Sequence, residues 1–392
     1  MSIAALETLL LPFASGALAW PGSGLFLRAQ SGWPLSTQTL PGLVFEQSFK
    51  PEFDSLQKSG YAVRGSSDGS RFPLVLVLPP RQREEGRALF AHAIERTLPG
   101  GIVVASMAND AGAKSGESDL ARLAGPLHVI SKNKCRVFWT SPLQGAVDPA
   151  LAVQWSSLDA PRPILEGRFV SRPGLFAWDR VDVASALLAT HLPDDLRGRG
   201  ADLGAGYGFL AAEVLGRCAD TTMDLYEAED RALELARLNL AGFASRGAAT
   251  FHWHDVTSGI PERYDVIVTN PPFHSQGRSD RPEIGMAFIA SAARALKAGG
   301  RLWMVANRHL PYEAVLNSNF GTVRLVAQQQ GFKVIEAVKA AAPAVGAPHR
   351  FGRNARRETA RAAGVFSSGF GISTMAFLPF LVARGFSPGI QR

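Results

Sequence analysis

Apolar residues along this chain cluster in short unbroken runs, and two of these sit in matching surroundings. Residues 73–107 carry an apolar strand through Val75–Leu78 that ends in Pro79-Pro80. A polar loop, an amphipathic helix, a Pro-Gly-Gly turn and a second apolar strand follow. Residues 264–306 repeat the order, with Val266–Thr269, Pro271-Pro272, a helix and an Ala-Gly-Gly turn. Continuous apolar runs suit strands buried on both faces of a largely parallel sheet, with helices covering each side. The chain therefore reads as two copies of one α/β unit.

Between the copies, Ser141 to Arg172 is rich in proline and poor in periodic signal, and reads as a connection. Beyond it Val181, Ala184, Leu187 and Leu188 mark a helix face, and the second copy closes with a strand over Phe332 to Ala337. Residues 341–392 change character: Ala, Pro, Gly and Arg dominate, and the segment reads as a tail of uncertain order. Within it, residues 362–383 lack charge over a length that could cross a bilayer, but Gly364, Gly369, Gly371 and Pro379 argue against a membrane anchor. Met1 to Trp20 is apolar enough to imitate a secretory signal, yet no Lys or Arg precedes Arg28 and Glu7 lies inside it, so export is not expected.

The chain has 392 residues, 46% hydrophobic and 19% charged, which excludes a disordered protein and suits two or three domains. Cys135 and Cys218 stand far apart, outside any metal-binding spacing, so neither a disulfide framework nor a structural zinc site is expected and a reducing cytoplasm is. The net charge of +7 is unevenly placed: residues 341–392 hold seven arginines against one acid, a net of +6, which leaves +1 for the rest. Arg350, Arg353, Arg357 and Arg361 recur at helical spacing, as a phosphate-binding stripe or as a solvated basic run.

The chemistry lies in the second copy. Ala201-Asp-Leu-Gly-Ala-Gly-Tyr-Gly-Phe-Leu210 sets Gly204, Gly206 and Gly208, behind Asp202, between a strand and a helix, where backbone N–H groups can meet a ligand. The next strand ends in Glu227, 19 residues past Gly208, placed to accept both hydroxyls of a ribose. Asp255 follows the third strand, positioned to meet an adenine edge. A nicotinamide dinucleotide fits this much equally well. The discriminating element is Asn270-Pro271-Pro272-Phe273, 43 residues past Glu227. A conjugated exocyclic amine is a poor nucleophile until acceptors localise its lone pair. The Asn270 side-chain oxygen and the Pro271 carbonyl supply them, Pro272 stiffens the turn, and Phe273 offers a ring for stacking. In the first copy Leu78 stands at the position of Asn270 and Arg81 at that of Phe273, so that copy keeps the scaffold without the site. His252 and His254 share a strand face, but without a third ligand no metal is expected.

These residues resemble the small-subunit ribosomal RNA guanine-N2 methyltransferases, a family of duplicated class I S-adenosylmethionine enzymes. The likeness rests on Pro173-Gly-Leu-Phe176 with Asp182 and Ser185, the glycine loop, Glu227, Asp255, Asn270 to His274, and Val305 to Tyr312 running on to Phe320-Gly321. The first half is similar more loosely, through Leu98-Pro-Gly-Gly101 and Lys134 to Phe138, and the tail has no counterpart. The resemblance implies two tandem Rossmann-like domains, each a seven-stranded mixed sheet with helices on both faces, the first degenerate. They are expected over 1–158 and 159–340, ahead of the tail at 341–392. It implies S-adenosylmethionine held by Asp202, Gly204, Gly206, Gly208, Glu227, Asp255 and Asn270, and catalysis by Asn270, Pro271, Pro272 and Phe273. Substrate contacts fall to Phe273, His274 and Phe176. The partner would be ribosomal RNA or the small subunit, met by a cytoplasmic monomer without metal. Methylation of large-subunit rRNA guanine, adenine N6 or protein glutamine N5 uses a similar Asn-Pro-Pro-aromatic turn. Phe273, the silent copy and the Ala-Asn…Leu-Pro-Tyr segment favour rRNA guanine. A non-enzymatic RNA-binding assembly protein and a nicotinamide oxidoreductase stay open at this point.

Overall fold

A computed structural model describes residues 3–272 and 281–341; Phe273, His274, the arginines at 350–361 and the uncharged stretch at 362–383 lie outside the described residues. The described residues lie in the chain's first compact unit, Met1–Pro343. The first unit holds two seven-stranded sheets of identical topology. One consists of β1 (Gly24–Leu27), β2 (Leu43–Glu46), β3 (Ala62–Arg64), β4 (Phe72–Val77), β5 (Thr97–Ala108), β6 (Leu127–Lys132) and β7 (Cys135–Thr140), in the order β3-β2-β1-β4-β5-β7-β6. A short antiparallel hairpin, β8 (Arg162–Ile164) and β9 (Phe169–Ser171), separates it from the other. That second sheet consists of β10 (Gly198–Leu203), β11 (Thr221–Glu227), β12 (Ala249–Trp253), β13 (Tyr264–Thr269), β14 (Leu296–Asn307), β15 (Thr322–Gln329) and β16 (Phe332–Val338), and runs β12-β11-β10-β13-β14-β16-β15. In each sheet the strand next to the edge, β7 or β16, is antiparallel to both of its neighbours.

The apolar runs behave as their pattern requires. Val266 and Val268 face the core built with Leu188, Val214 and Leu225, while Ile267 faces the opposite core with Ile289, Ala292 and Met304. Val75 and Val77 point likewise to one side of the first sheet and Leu74, Leu76 and Leu78 to the other. Alternation within a wholly apolar run buries both faces of each central strand. The duplication extends to detail, since β5 and β14 show the same sequence of buried and exposed positions over all twelve residues.

Two segments gain definition in the structure, the second against expectation. The apolar start is the helix Ile3–Ala14, whose Leu6, Leu9 and Leu10 pack under the first sheet against Phe26, Leu76 and Val137. Its hydrophobicity is accounted for by core burial. The proline-rich connection contains the helix Pro149–Ser156, started by Asp148 accepting from the Leu151 N–H with proline in the first turn. That helix buries Trp155 in the first sheet's core, with Arg87 and Arg122 over the indole, whereas Ile164 and Phe169 of the hairpin join the second sheet's core. This partition is why we propose to divide the halves at 158/159. No described helix is long and apolar enough to cross a membrane.

Candidate active site

At the carboxyl end of β10 the chain turns through Gly204, Gly206 and Gly208, all with positive φ (74°, 55° and 92°), before the helix Phe209–Arg217 begins. Glycine is the residue that takes these angles without steric cost. At Gly208 a side chain would also collide, because a Cβ would stand 2.4 Å from Leu240 Cδ1. At Gly206 a Cβ would meet no protein atom within 4 Å, so the loop leaves open space there. The Gly206 N–H donates to Glu227 Oε2 (2.7 Å) and the Glu229 N–H to Glu227 Oε1 (2.8 Å). Two bonds leave about half of a carboxylate's lone-pair positions free, enough for the two hydroxyls of a ribose. Burial pushes the Glu227 carboxyl above its ordinary range.

Asp202 lies beneath the loop, 1% exposed, with Oδ2 accepting from the Ala211 N–H (3.0 Å) and Oδ1 without a partner. Burial drives its carboxyl up to about 7, against the pull of the Ala211 N–H and with a smaller push from Glu227. Asp255 stands two residues past β12 and opens a short 3-10 turn, its Oδ1 taking the Thr257 N–H and hydroxyl. The open glycine loop, an acid with spare acceptors and an orphaned buried carboxyl oxygen together fit a nucleoside-bearing cofactor.

Next to β10, β13 runs into Asn270. Thr269 ties the strand end to the Leu203 carbonyl (2.7 Å). The Asn270 Nδ2 donates to Asp182 Oδ2 (2.8 Å) and to Ser185 Oγ (2.9 Å). A carboxylate only accepts, so the amide must turn its NH₂ toward Asp182, which leaves Oδ1 as an acceptor for another group. Asp182 also caps the helix Val183–His191 through the Ser185 N–H (2.8 Å), so one carboxylate fixes both the helix start and the amide. Pro271 is buried and Pro272 exposed. Phe176 stands 71% exposed on the loop from β9 to that helix, beside Ala177, whose φ of 46° marks a constrained turn.

The structure thus brings Asp202, the three glycines, Glu227 and Asn270 to the carboxyl edge of one sheet, with Asp255 just beyond the neighbouring strand end. Two positioning residues escaped sequence reasoning. Asn239 donates to the Tyr207 and Val170 carbonyls and accepts from the Val170 N–H, stitching the glycine loop to the hairpin. Tyr207 reaches the Arg180 carbonyl and steadies the loop that carries Phe176 (3.2 Å). Both are ordinary helix or loop residues with no local signal. His252 stacks on Tyr226 and His254 bonds the Gly259 carbonyl. Among the described residues no group of three or more His, Cys, Asp or Glu could hold a metal ion.

The Methyltransferase small domain model matches residues 166–336, the half that holds this site. Ribosomal RNA small subunit methyltransferase C of Psychromonas ingrahamii is 30% identical over 271 residues, covering 69% of this chain and 76% of the relative. The chain belongs to the ribosomal RNA small subunit methyltransferase C family. It is a methyltransferase. The relative of that name from Pseudomonas paraeruginosa is 32% identical over 262 residues, with 67% and 78% covered. Among solved structures, the T. thermophilus 16S rRNA N2 methyltransferase in complex with AdoMet and guanosine superposes with a TM-score of 0.71 at 24% identity, over 86% of this chain and 91% of that one. The structural match extends over both halves, so the duplicated fold is shared with that structure.

The register shows how the first copy fell silent. Leu27 pairs with Val77 and Glu46 as Leu203 pairs with Thr269 and Tyr226. Leu78 therefore occupies the place of Asn270, Arg28 that of Gly204, and Gln47 that of Glu227. Gln47 accepts from the Phe49 N–H (2.8 Å) as Glu227 does from Glu229, but its amide nitrogen donates to the Ala29 carbonyl. An amide in that position loses the acceptor a ribose would need.

Proposed function

We propose that this chain transfers a methyl group from S-adenosylmethionine to the exocyclic N2 of a guanine in 16S ribosomal RNA, acting as a cytoplasmic monomer without metal. The glycine loop and Glu227 hold the nucleoside end of the cofactor, and Asp255 meets its base. Asn270 Oδ1 and the Pro271 carbonyl each accept one hydrogen of the guanine amine, which keeps its lone pair on nitrogen, while Phe273 stacks on the base and Phe176 and His274 border it. Bound S-adenosylmethionine supplies a methyl group activated on a sulfonium. Asn270 and Pro271 would hold the amine nitrogen toward that methyl, and water would take the proton the amine gives up. This chain contributes position and hydrogen bonding, with no general base among the residues assigned.

The observation that supports the reading is the Asn270 amide, held through its nitrogen by Asp182 and Ser185 so that its oxygen is left as an acceptor. That arrangement suits the localisation of an amine's lone pair. The test is Asn270→Ala, assayed by methyl incorporation into small-subunit rRNA. The rate should fall by about 10² while S-adenosylhomocysteine affinity stays within a few-fold, the pattern of a group acting on the transition state. Methylation at the wild-type rate would refute the site.

A further inference from the structure

The two halves dock through the same loop of each copy. In the second half Ala228, Glu229 and Asp230 follow Glu227; in the first, Ser48, Phe49 and Lys50 follow Gln47. The Lys50 N–H donates to the Ala228 carbonyl (2.8 Å) and the Asp230 N–H to the Ser48 carbonyl (3.0 Å). Each bond is the counterpart of the other, as in a two-fold interface. Phe49 and Glu229 form an antiparallel bridge between them. Trp253, at the end of β12, places its indole N–H between the Ser48 carbonyl (2.9 Å) and the Ala228 carbonyl (2.8 Å), and its ring packs against Phe53.

Side chains reinforce the joint. Glu229 pairs with Arg231 (3.0 Å) and Arg28 (3.8 Å). Burial works against its charge, but Arg231 and Arg28 hold its carboxyl at about 2. Both arginines also reach the buried Glu85, which leans on Gly174, where a Cβ would lie 2.1 Å from Glu85 Oε2. Arg28 stands at the first copy's counterpart of Gly204 and joins this network.

The residue gripped here is the one that aims the cofactor acid, since the Glu229 N–H donates to Glu227 Oε1. We infer that Ser48–Lys50 of the first half is a positioning element for Glu227, so that the second half's affinity for S-adenosylmethionine depends on backbone supplied by the silent copy. A ligand group must be held to within about half an ångström to bind at full strength, and a loop braced from the other half meets that need before the cofactor arrives. The inference rests on the reading that Glu227 holds the ribose. If the joint served cohesion alone, loosening it would change stability and leave cofactor affinity where it was.

Lys50→Pro in the full chain removes one donor. Phe49 is already extended (φ −91°, ψ 112°) and Lys50 opens the helix Lys50–Lys58, where proline is tolerated. Lys50→Ala keeps the N–H and controls for the side chain. By calorimetry Lys50→Pro should bind S-adenosylhomocysteine about fivefold to tenfold more weakly than Lys50→Ala, the scale of one backbone hydrogen bond. KM for S-adenosylmethionine should rise by the same factor, with kcat at saturating cofactor within about twofold. Equal S-adenosylhomocysteine affinity in the two variants overturns the inference. Should Lys50→Pro fail to fold, Trp253→Phe, which deletes the N–H shared by both carbonyls, decides by the same measurement, and unchanged affinity again overturns it. Glu227→Ala, measured alongside, separates the two claims. Normal binding there refutes the ribose reading, whereas loss of binding there with full affinity in Lys50→Pro refutes the positioning role alone.

Discussion

Replacing Asn270 by aspartate changes one NH₂ for an oxygen and nothing in shape, and the surrounding geometry fixes what must follow. The new oxygen would stand where Nδ2 now lies, 2.8 Å from Asp182 Oδ2. Two carboxylate oxygens at that separation repel by about 6 kcal/mol at an effective dielectric of about 20, equivalent to roughly four pK units at about 1.4 kcal/mol per unit. Solvent reaching these half-buried groups reduces this, and the new carboxyl should titrate on the order of two units above an ordinary aspartate. Below that point it carries a proton, donates it to Asp182 and keeps a carbonyl oxygen, so the acceptor for the guanine amine survives. Above it the pair is doubly charged and the side chain swings away. Single-turnover methylation of small-subunit rRNA by Asn270→Asp should therefore exceed that of Asn270→Ala at about pH 5 and decline toward it by about pH 8. The wild-type amide has no such titration. A profile parallel to wild type, or one as low as Asn270→Ala at every pH, would refute the proposed contact with Asp182.

Calorimetry with S-adenosylhomocysteine should find one site per chain and lose most of the affinity in Glu227→Ala; two sites would show that Gln47 still serves a cofactor in the first copy. Asp202, raised to about 7 mainly by burial, keeps a proton in the folded state that the unfolded chain gives up above about pH 4. Its contribution to stability is thus complete below about pH 4 and lost as pH rises through about 7. Asp202→Asn should remove that component from a plot of Tm against pH, and an unchanged slope would contradict the assignment. Gly208→Ala combines a φ of 92° with a Cβ 2.4 Å from Leu240 Cδ1, and should lower Tm more than Gly206→Ala, whose Cβ meets no protein atom. The second variant should register instead in cofactor affinity, and equal Tm losses would argue against the loop geometry.

Much of this architecture could be read from the chain before any coordinates, because the deciding signals are local. Val75–Leu78 and Val266–Thr269 must be buried on both faces, and paired prolines must end those strands. Gly204, Gly206 and Gly208 announce a turn that other residues resist, and Asn270-Pro271 announces an amine acceptor. What escaped depends on contacts distant in sequence. Asn239 gains its role only because Val170 and Tyr207 are brought to it. The helix Pro149–Ser156 was legible in principle from Asp148-Pro149, but the surrounding prolines masked it. That Asp182 orients Asn270 across 88 residues follows from the packing of a helix start against a strand end. The equivalence of Gln47 and Glu227 needed strand register, since the likeness of Phe45-Glu46-Gln47-Ser48 to Leu225-Tyr226-Glu227-Ala228 is too short and loose to align by sequence.

The joint between the halves has a bearing on how two unlike copies can stay together. Its reciprocal bonds run from the Lys50 and Asp230 amides to the Ala228 and Ser48 carbonyls, all main-chain atoms. Such bonds accept any residue but proline at the donor and make no demand on side-chain chemistry. A duplicated pair held in this way could accumulate substitutions on one side, exchanging glutamate for glutamine and glycine for arginine, without loosening its grip on the other. Divergence of the redundant copy would then cost little in cohesion, and chemistry could be concentrated in one half while the pseudo-symmetric embrace was inherited intact.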